Sequence, residues 1–476
     1  MKKKVKCLLF SPHFHYVKGS IYREISNLDP PLGLISLAAY LNEKGFNTQV
    51  FDLNVEIKSS EEFPDFLDTL TNHYELNDVV FGISFLTPYV HNSYAVAKFI
   101  KQKFPDSKVV AGGAHATFMA EEVLNSTFVD VVVRGEGEIS LFEVLAGIPV
   151  SQIQGISYRE INNGVVEIVN NSDRERIKDI NTLPFPAYEQ LKMEYYEPIL
   201  GSNRKRPSAN IVTSRGCPGK CVFCCKTFGQ QVTYKRPDTI LGEIKLLMSR
   251  YKVKHINIYD DTFTLSRKRV DEFCDLLISE KLDMEWTCFA RIDTMDAEIL
   301  MKMKKAGCYQ IMYGVENFNQ EILDSLAKGI KIEKIEEVIR QTRIAGIVTR
   351  VSVMVGNTLD TWDTYRSNIK ALKKLKPDIL VSSIYTPIPG SKLYESAKAE
   401  SRLLTTDWSK FAGNNSVMRL DHLTQKDVVR QYQKIYSDYY YNIPYFFRRI
   451  KRINSWSEFK STARAFFYVL RFIISR

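Results

Sequence analysis

The amino-acid sequence predicts an α/β chain in two successive halves, a doubly wound parallel sheet and then a parallel barrel or part of one, closed by a small helical C-terminal region. Three observations carry this expectation. Short apolar runs alternate with helical patterns over the first 150 residues, the alternation fades from Gly147 to about Ser208, and it resumes at Ala209 for six further units. Buried strands separated by helices are how a parallel sheet covers both of its faces. The expected divisions are residues 1–147, a linker with a small hairpin at 148–208, a barrel at 209–400 and a helical region at 401–476.

In the first half, strands are expected at 5–10, 48–53, 79–85, 108–111 and 129–133, with helices at 34–44, 93–104 and 120–126. Ligands of such sheets lie at the carboxyl ends of the strands, and there the sequence is unusual. Ser84-Phe85-Leu86 closes the third strand, Gly112-Gly113-Ala114-His115 the fourth and Arg134-Gly135-Glu136-Gly137-Glu138 the fifth. Glycines let backbone approach a ligand closely, and the acidic pair can cap the next helix or hold polar ligand groups. Turn chemistry alone explains any one of these loops; three together point to a site.

The linker holds Asn162-Asn163-Gly164, a hairpin turn, and the extended Leu183-Pro184-Phe185-Pro186. In the second half, strands are expected at 210–214, 255–259, 285–290, 310–314, 350–355 and 378–384. Helices are expected between them at 239–249, 268–279, 296–306, 320–326, 332–345 and 362–375. Six strand-helix units suggest a barrel or partial barrel with its chemistry at the strand carboxyl ends.

At 476 residues, 45% hydrophobic and 25% charged, the chain has the make-up of an ordinary globular protein and excludes a disordered or fibrous one. The basic start at Lys2-Lys3-Lys4 leads into a short interrupted apolar run that ends at Ser11-Pro12, which reads as a first strand rather than a signal peptide. No stretch reaches the roughly 20 apolar residues of a spanning helix, so a cytoplasmic location is expected. The net charge of +10 is concentrated in the tail, where eight Lys/Arg face only Glu458 from Ile443 onward. The body is near balance, which argues against a nucleic-acid partner.

Four of the eight cysteines crowd into 217–225, while Cys7, Cys274, Cys288 and Cys308 are scattered and read as core thiols. The spacing C-x-x-x-C-x-x-C of Cys217, Cys221 and Cys224 offers three thiolates, enough for three irons of a cubane cluster with the fourth iron open. Structural zinc is the competing reading. It wants four closed ligands; Cys225 is adjacent to Cys224 and points away, and a fourth from Cys274, Cys288 or Cys308 is conceivable.

The loop Arg215-Gly216-Cys217-Pro218-Gly219-Lys220-Cys221-Val222-Phe223-Cys224 resembles the signature of the radical S-adenosylmethionine superfamily, and the preceding half resembles the cobalamin-binding domain of its cobalamin-dependent branch. Further segments agree in order: Pro30-Pro31-Leu32-Gly33-Leu34, Ser84-Phe85-Leu86, Gly112-Gly113, Tyr259-Asp260-Asp261-Thr262-Phe263, Gly314-Val315-Glu316-Asn317 and Pro387-Ile388-Pro389-Gly390-Ser391. The resemblance implies a Rossmann-like cobalamin-binding fold followed by a partial (β/α)6 barrel. It implies a [4Fe-4S] cluster on Cys217, Cys221 and Cys224 that cleaves S-adenosylmethionine to a 5'-deoxyadenosyl radical, with cobalamin as a methyl carrier to an unactivated carbon. Oxidation, ring formation or rearrangement without methylation are the other outcomes in that branch.

By the same resemblance, Phe223, Asp260, Asp261 and Glu316 contact S-adenosylmethionine, Asp260 or Asp261 at its ammonium and Glu316 at its ribose. Arg291 and Arg350, at expected strand ends, face its carboxylate or a substrate anion; pairing with Asp293 is the alternative for Arg291. Ser84, Leu86, Gly112, Gly113, His115, Gly135 and Glu136 fall to cobalamin. An electron donor such as flavodoxin or ferredoxin is implied.

Two departures stand out. Asn54, in Asp52-Leu53-Asn54, stands where the D-x-H-x-x-G fingerprint would supply a histidine below the cobalt, and Val355-Gly356-Asn357-Thr358-Leu359-Asp360 replaces a Gly-x-Pro-Gly-Glu-Thr turn. In the tail, residues 459–475 read as a basic amphipathic helix with Lys460, Arg464 and Arg471 on one face, either an interfacial anchor suited to a lipid-like substrate or a helix packed on the barrel. A tRNA methylthiotransferase shares the barrel signature but carries further N-terminal cysteines, whereas only Cys7 precedes Cys217 here.

Overall fold

The structure, a computed structural model, describes residues 2–12, 28–126, 128–162, 164–196, 203–441 and 443–450. The expected tail helix at 459–475 and Asn163 of the hairpin turn lie outside the described residues.

Period-two burial on apolar runs builds the first sheet. In β1 (Cys7–Ser11), Cys7 and Leu9 face one layer and Leu8 and Phe10 the other, so the strand is covered on both sides. With β2 (Thr48–Asp52), β3 (Val80–Ser84), β4 (Lys108–Gly112) and β5 (Val131–Val133) it forms a parallel array in the order β2-β1-β3-β4-β5. This is a doubly wound order whose switch point lies between β1 and β3.

Helices α1 (Leu32–Glu43), α2 (Phe63–His73), α3 (Val90–Lys103), α4 (Ala114–Phe118), α5 (Ala120–Asn125) and α6 (Glu138–Leu145) cover it. The sequence reading places no helix at α2, whose buried stripe of Phe63, Leu67 and Leu70 is narrow within a polar run. The hairpin expected in the linker instead joins this sheet. Its strands β6 (Ile156–Asn162) and β7 (Val165–Asn170) add antiparallel beyond β5 and extend the sheet to seven strands.

The second sheet runs β8 (Ser208–Ile211), β9 (His255–Ile258), β10 (Glu285–Ala290), β11 (Cys308–Glu316), β12 (Val348–Val355) and β13 (Ile379–Ile384), all parallel and in sequence order. Helices α7 (Pro237–Tyr251), α8 (Arg267–Glu280), α9 (Ala297–Lys305), α10 (Gln320–Ser325), α11 (Ile332–Ile344) and α12 (Trp362–Leu375) alternate with the strands. The ladder ends at β8 and β13 among the described residues, so the barrel is partial.

An open edge exposes unpaired backbone groups, and β13 meets this with tyrosines. On α14 (Gln425–Tyr440), which follows α13 (Lys392–Ala399), Tyr436 and Tyr440 are one turn apart, and alternate residues along a strand span a similar length. The Tyr436 hydroxyl accepts from Ser382 N at 3.0 Å and donates to Ser382 O at 3.1 Å; Tyr440 does the same with Leu380 at 2.8 and 3.1 Å. Tyr445 continues the row by donating to Asp378 O at 3.0 Å.

The halves share one core: the cluster holding Leu9, Leu34 and Leu141 continues into Ile211, Ile258 and Val351 of the barrel. The chain beyond the barrel folds back on the other face of the first sheet, where Trp408 and Phe411 are buried and Trp408 Nε1 donates to Glu122 at 2.9 Å.

Candidate functional site

β8 ends at Ile211, earlier than its apolar run suggests, because Ser214–Arg215 pair antiparallel with Thr233–Tyr234 and turn the chain into the cysteine loop. Gly216, at φ +93°, has Gln231 O where a Cβ would stand, so no other residue fits without a shift. A methyl group on Gly219 would lie 3.4 Å from Cys217 Sγ and 3.9 Å from Cys221 Sγ. The two thiols therefore flank one glycine. The Cys221 thiol is drawn down to about 6, first by its hydrogen bond with Cys224 and further by the charges of Lys328 and Arg291; the same bond and burial push Cys224 up.

Asp260 anchors this loop. Its carboxylate accepts from Thr213 N and Oγ1 at 2.6 Å each, Ser214 N at 3.0 Å and Ser214 Oγ at 2.6 Å, with the Arg269 guanidinium 3.7 Å away. An ionised carboxylate has about four acceptor positions, and four donors already use them. Asp261 points elsewhere: it accepts from Gly216 N, and its carboxyl is raised by partial desolvation and by the neighbouring Asp260.

Arg291 takes both expected settings at once. It pairs with Asp293 through two 2.9 Å bonds, donates to Lys328 O at 2.9 Å, and would lie 3.4 Å from a Cβ on Gly219. Glu316 sits at a bulge of β11 with φ +71°, buried, 2.9 Å from Lys328 Nζ and 3.3 Å from Ser352 Oγ. Burial alone would lower the Lys328 ammonium, but the Glu316 charge and the Cys221 thiol outweigh it and the pKa is raised. The ammonium also lies 5.8 Å over the Phe223 ring.

Arg350 is the third residue of β12 and pairs in register with Met312, so it lies within the strand, one layer below Ser352, rather than at a strand end as expected. Its charge reaches Tyr259, which follows β9, Tyr440 and Tyr436, which bond β13, and Asp29 of the first half. In the departing loop, Asp360 accepts from Gly356 N at 2.8 Å and Asn357 N at 2.9 Å and closes the turn by itself.

The first sheet carries a cavity of about 300 Å³ at its switch point. Ser84, Leu86, Gly112, Gly113, Gly135 and Glu136 line it, with α1 and α6 behind. Leu86 is 53% exposed at the mouth. Gly113 is doubly required: its φ is +91°, and a Cβ would stand 2.6 Å from Phe85 O and 2.9 Å from Ser84 Oγ. Arg215, Thr227 and Phe228, from around the cysteine loop, complete the wall.

Residues 21–145 match the B12 binding domain family and residues 211–372 the Radical SAM superfamily. An uncharacterized methyltransferase of Pyrococcus horikoshii is 31% identical over 92% of this chain and 93% of its own length. The chain belongs to the cobalamin-binding radical S-adenosylmethionine enzymes. An anaerobic magnesium-protoporphyrin IX monomethyl ester cyclase of Rubrivivax gelatinosus is 26% identical over 92% of this chain and 78% of that protein. The radical S-adenosylmethionine methyltransferase TsrM from Kitasatospora setae, solved with cobalamin and a [4Fe-4S] cluster, shares the fold: TM-score 0.69 at 16% identity, covering 93% of this chain and 89% of that one.

This radical enzyme's cofactors are a [4Fe-4S] cluster, S-adenosylmethionine and cobalamin. The donor sets fit them. Three thiols gather on one loop beside two cations, and a glycine-floored slot opens at the strand ends. Cys7, Cys274, Cys288 and Cys308 are buried in the cores.

One expected cobalamin contact, His115, is not brought to the slot, and neither is the departing Asn54. His115 is packed under Phe85 and Trp408, with Nδ1 3.2 Å from Thr87 Oγ1, and burial lowers its imidazole to about 4. Asn54 follows the outer strand β2, bonds Asp52 at 2.7 Å and Pro12 O at 3.2 Å, and does not line the slot. Glu136 lines the slot but is spent on Arg215 at 2.9 Å and Ile177 N at 2.7 Å.

The sequence reading misses Arg215, Arg176, Thr213, Ser214 and Lys328 as parts of the site. Arg215 was signalled by its place before Gly216-Cys217; Lys328, in a turn after Ala327 at φ +50°, had no such signal.

Proposed function

We propose that this radical enzyme transfers a methyl group to an unactivated carbon of a small or lipid-like molecule, with the division of labour expected from the sequence except that the first unit runs on to Asn170. The observation that carries the reading is the shared wall: the slot at the first sheet's strand ends is completed by Arg215, Thr227 and Phe228 from around the cysteine loop. A corrinoid held there would be adjacent to the loop of Cys217, Cys221 and Cys224. The methyltransferase named in Pyrococcus horikoshii supports the same outcome.

When bound, the cluster supplies an electron to cleave S-adenosylmethionine, and cobalamin supplies a transferable methyl group. The chain's own residues do the rest. Cys217, Cys221 and Cys224 hold the cluster; Asp260 fixes the strand end from which they hang. Asp261, with room left in its acceptor set, takes the methionyl ammonium, and Phe223 covers that end. Lys328 and Arg291 put positive charge beside the thiolates and the methionyl carboxylate. Glu316 faces the ribose, and Arg350 an anionic or polar substrate group inside the barrel.

The cyclase of Rubrivivax gelatinosus favours a second reading, radical oxidation or ring formation without methylation. Incubation of the anaerobically reconstituted chain with methyl-labelled S-adenosylmethionine and corrinoid separates them. Label in cobalamin and in a product supports transfer; label confined to methionine, with 5'-deoxyadenosine formed, supports the second reading.

No described helix is long and apolar enough to cross a membrane. A cytoplasmic location, a flavodoxin or ferredoxin donor, no nucleic-acid partner and contact of the basic tail with an anionic membrane face complete the proposal.

A further inference from the structure

Glu136 and Glu138 stand in the loop that the sequence assigns to cofactor binding, yet both are turned to one cation from the other half of the molecule. Arg215 donates to Glu136 at 2.9 Å and to Glu138 at 2.6 Å. All three side chains are nearly enclosed, exposed by 13%, 7% and 4%. Glu136 also accepts from Ile177 N at 2.7 Å, and Arg176 donates to Arg215 O at 3.2 Å and Thr233 Oγ1 at 3.4 Å. Arg176 also reaches Gln231 O, the same carbonyl that crowds Gly216.

These contacts tie two loops together. Arg215 lies two residues before Cys217, its backbone is paired with Thr233, and its guanidinium is 5.5 Å from the Phe228 ring. Arg215, Phe228, Glu136 and Glu138 all line the slot. A group entering the slot therefore presses on the bridge, and a shift of Arg215 moves the main chain that carries Gly216 and Cys217. One guanidinium fork serves both carboxylates; a lysine ammonium keeps the charge without that fixed geometry.

We infer that Arg215 is a positioning residue coupling the corrinoid slot to the cysteine loop, so that occupancy of either site changes the other. Such coupling is reciprocal in binding free energy. The inference rests on the slot being the corrinoid site.

The test uses the full chain with its cluster reconstituted anaerobically, titrated with hydroxocobalamin by absorbance, with the reduced cluster followed by electron paramagnetic resonance. In the wild type, corrinoid shifts the cluster signal. In Arg215→Met with iron content retained, corrinoid affinity falls on the order of tenfold and the corrinoid-dependent shift disappears; Arg215→Lys restores part of both. Glu138→Gln, which changes no residue of the cysteine loop itself, reproduces the loss and serves if Arg215→Met fails to load iron. Corrinoid binding and an unchanged signal shift in both Arg215→Met and Glu138→Gln would overturn the inference alone. A wild type that binds no corrinoid would overturn the reading of the slot and the inference with it.

Discussion

The two halves of the molecule build their sites by opposite means. At the first sheet, room is made by leaving side chains out: Gly113 has backbone where a Cβ would go, and Gly135 borders the slot with φ +72° and nothing within 4 Å. At the barrel, position is fixed by pairing polar groups: Asp260 takes four hydrogen bonds, and Glu316 is held by Lys328 and Ser352. A large flat cofactor needs absence of atoms; a small charged one needs fixed charges. The difference teaches that substitution should act mainly by added bulk in one half and by unpaired charge in the other.

The largest effect is expected in the barrel. Lys328→Met leaves Glu316 buried without its cation, which costs about 3–5 kcal/mol, read as a loss of unfolding free energy in denaturant titrations. Glu316→Gln combined with Lys328→Met should recover much of it, and a double variant no better than the single would break the charge side of the comparison. Asp260→Asn retains shape but turns donors toward donors; about 3 kcal/mol of stability is expected to go, with iron content after reconstitution falling in parallel.

On the glycine side, Gly113→Ala meets both a left-handed φ and the Phe85 backbone, so about 2 kcal/mol and corrinoid binding are lost together. Gly135→Ala sharpens the contrast. Space surrounds that position, so about 1 kcal/mol is expected, with a weakening of corrinoid binding that stability measurements do not mirror.

The most gradual effect, spread over more than two pH units, concerns acid. Folded His115 takes a proton only near pH 4, whereas an unfolded histidine does so near about 6.5. Between those values the unfolded chain binds one more proton, so stability falls as pH drops through that window, by on the order of 2–3 kcal/mol in all. His115→Gln should remove that part of the acid slope in denaturation at pH 7, 6 and 5.

Most of the strand-helix order was legible because runs such as Val79 to Phe85 are short and apolar on both faces, while Arg350 to Val355 puts valines at alternate positions. The carboxyl-end glycines were legible for the same reason, since a double glycine at a strand end has few other uses. What escaped was pairing over long distances. The contacts of Glu136 with Arg215, 79 residues on, and of Asp260 with Thr213, 47 residues back, depend on which loops the fold brings together. Local pattern also misread His115, whose place after Gly112-Gly113 suggested a ligand, while helix α4 turns its ring toward Phe85 and Trp408. The hairpin at 156–170 read as a linker because its outer strand is largely exposed, although it completes a sheet.

The central claim is that the loop of Cys217, Cys221 and Cys224 holds the cluster that cleaves S-adenosylmethionine. Its most direct test is 5'-deoxyadenosine formation by the anaerobically reconstituted chain given reductant and S-adenosylmethionine, with iron and sulfide measured on the same sample. The wild type is expected to form 5'-deoxyadenosine and Cys221→Ala to form none. A wild type loaded with iron that forms none, or a Cys221→Ala variant that forms it undiminished, would contradict the account.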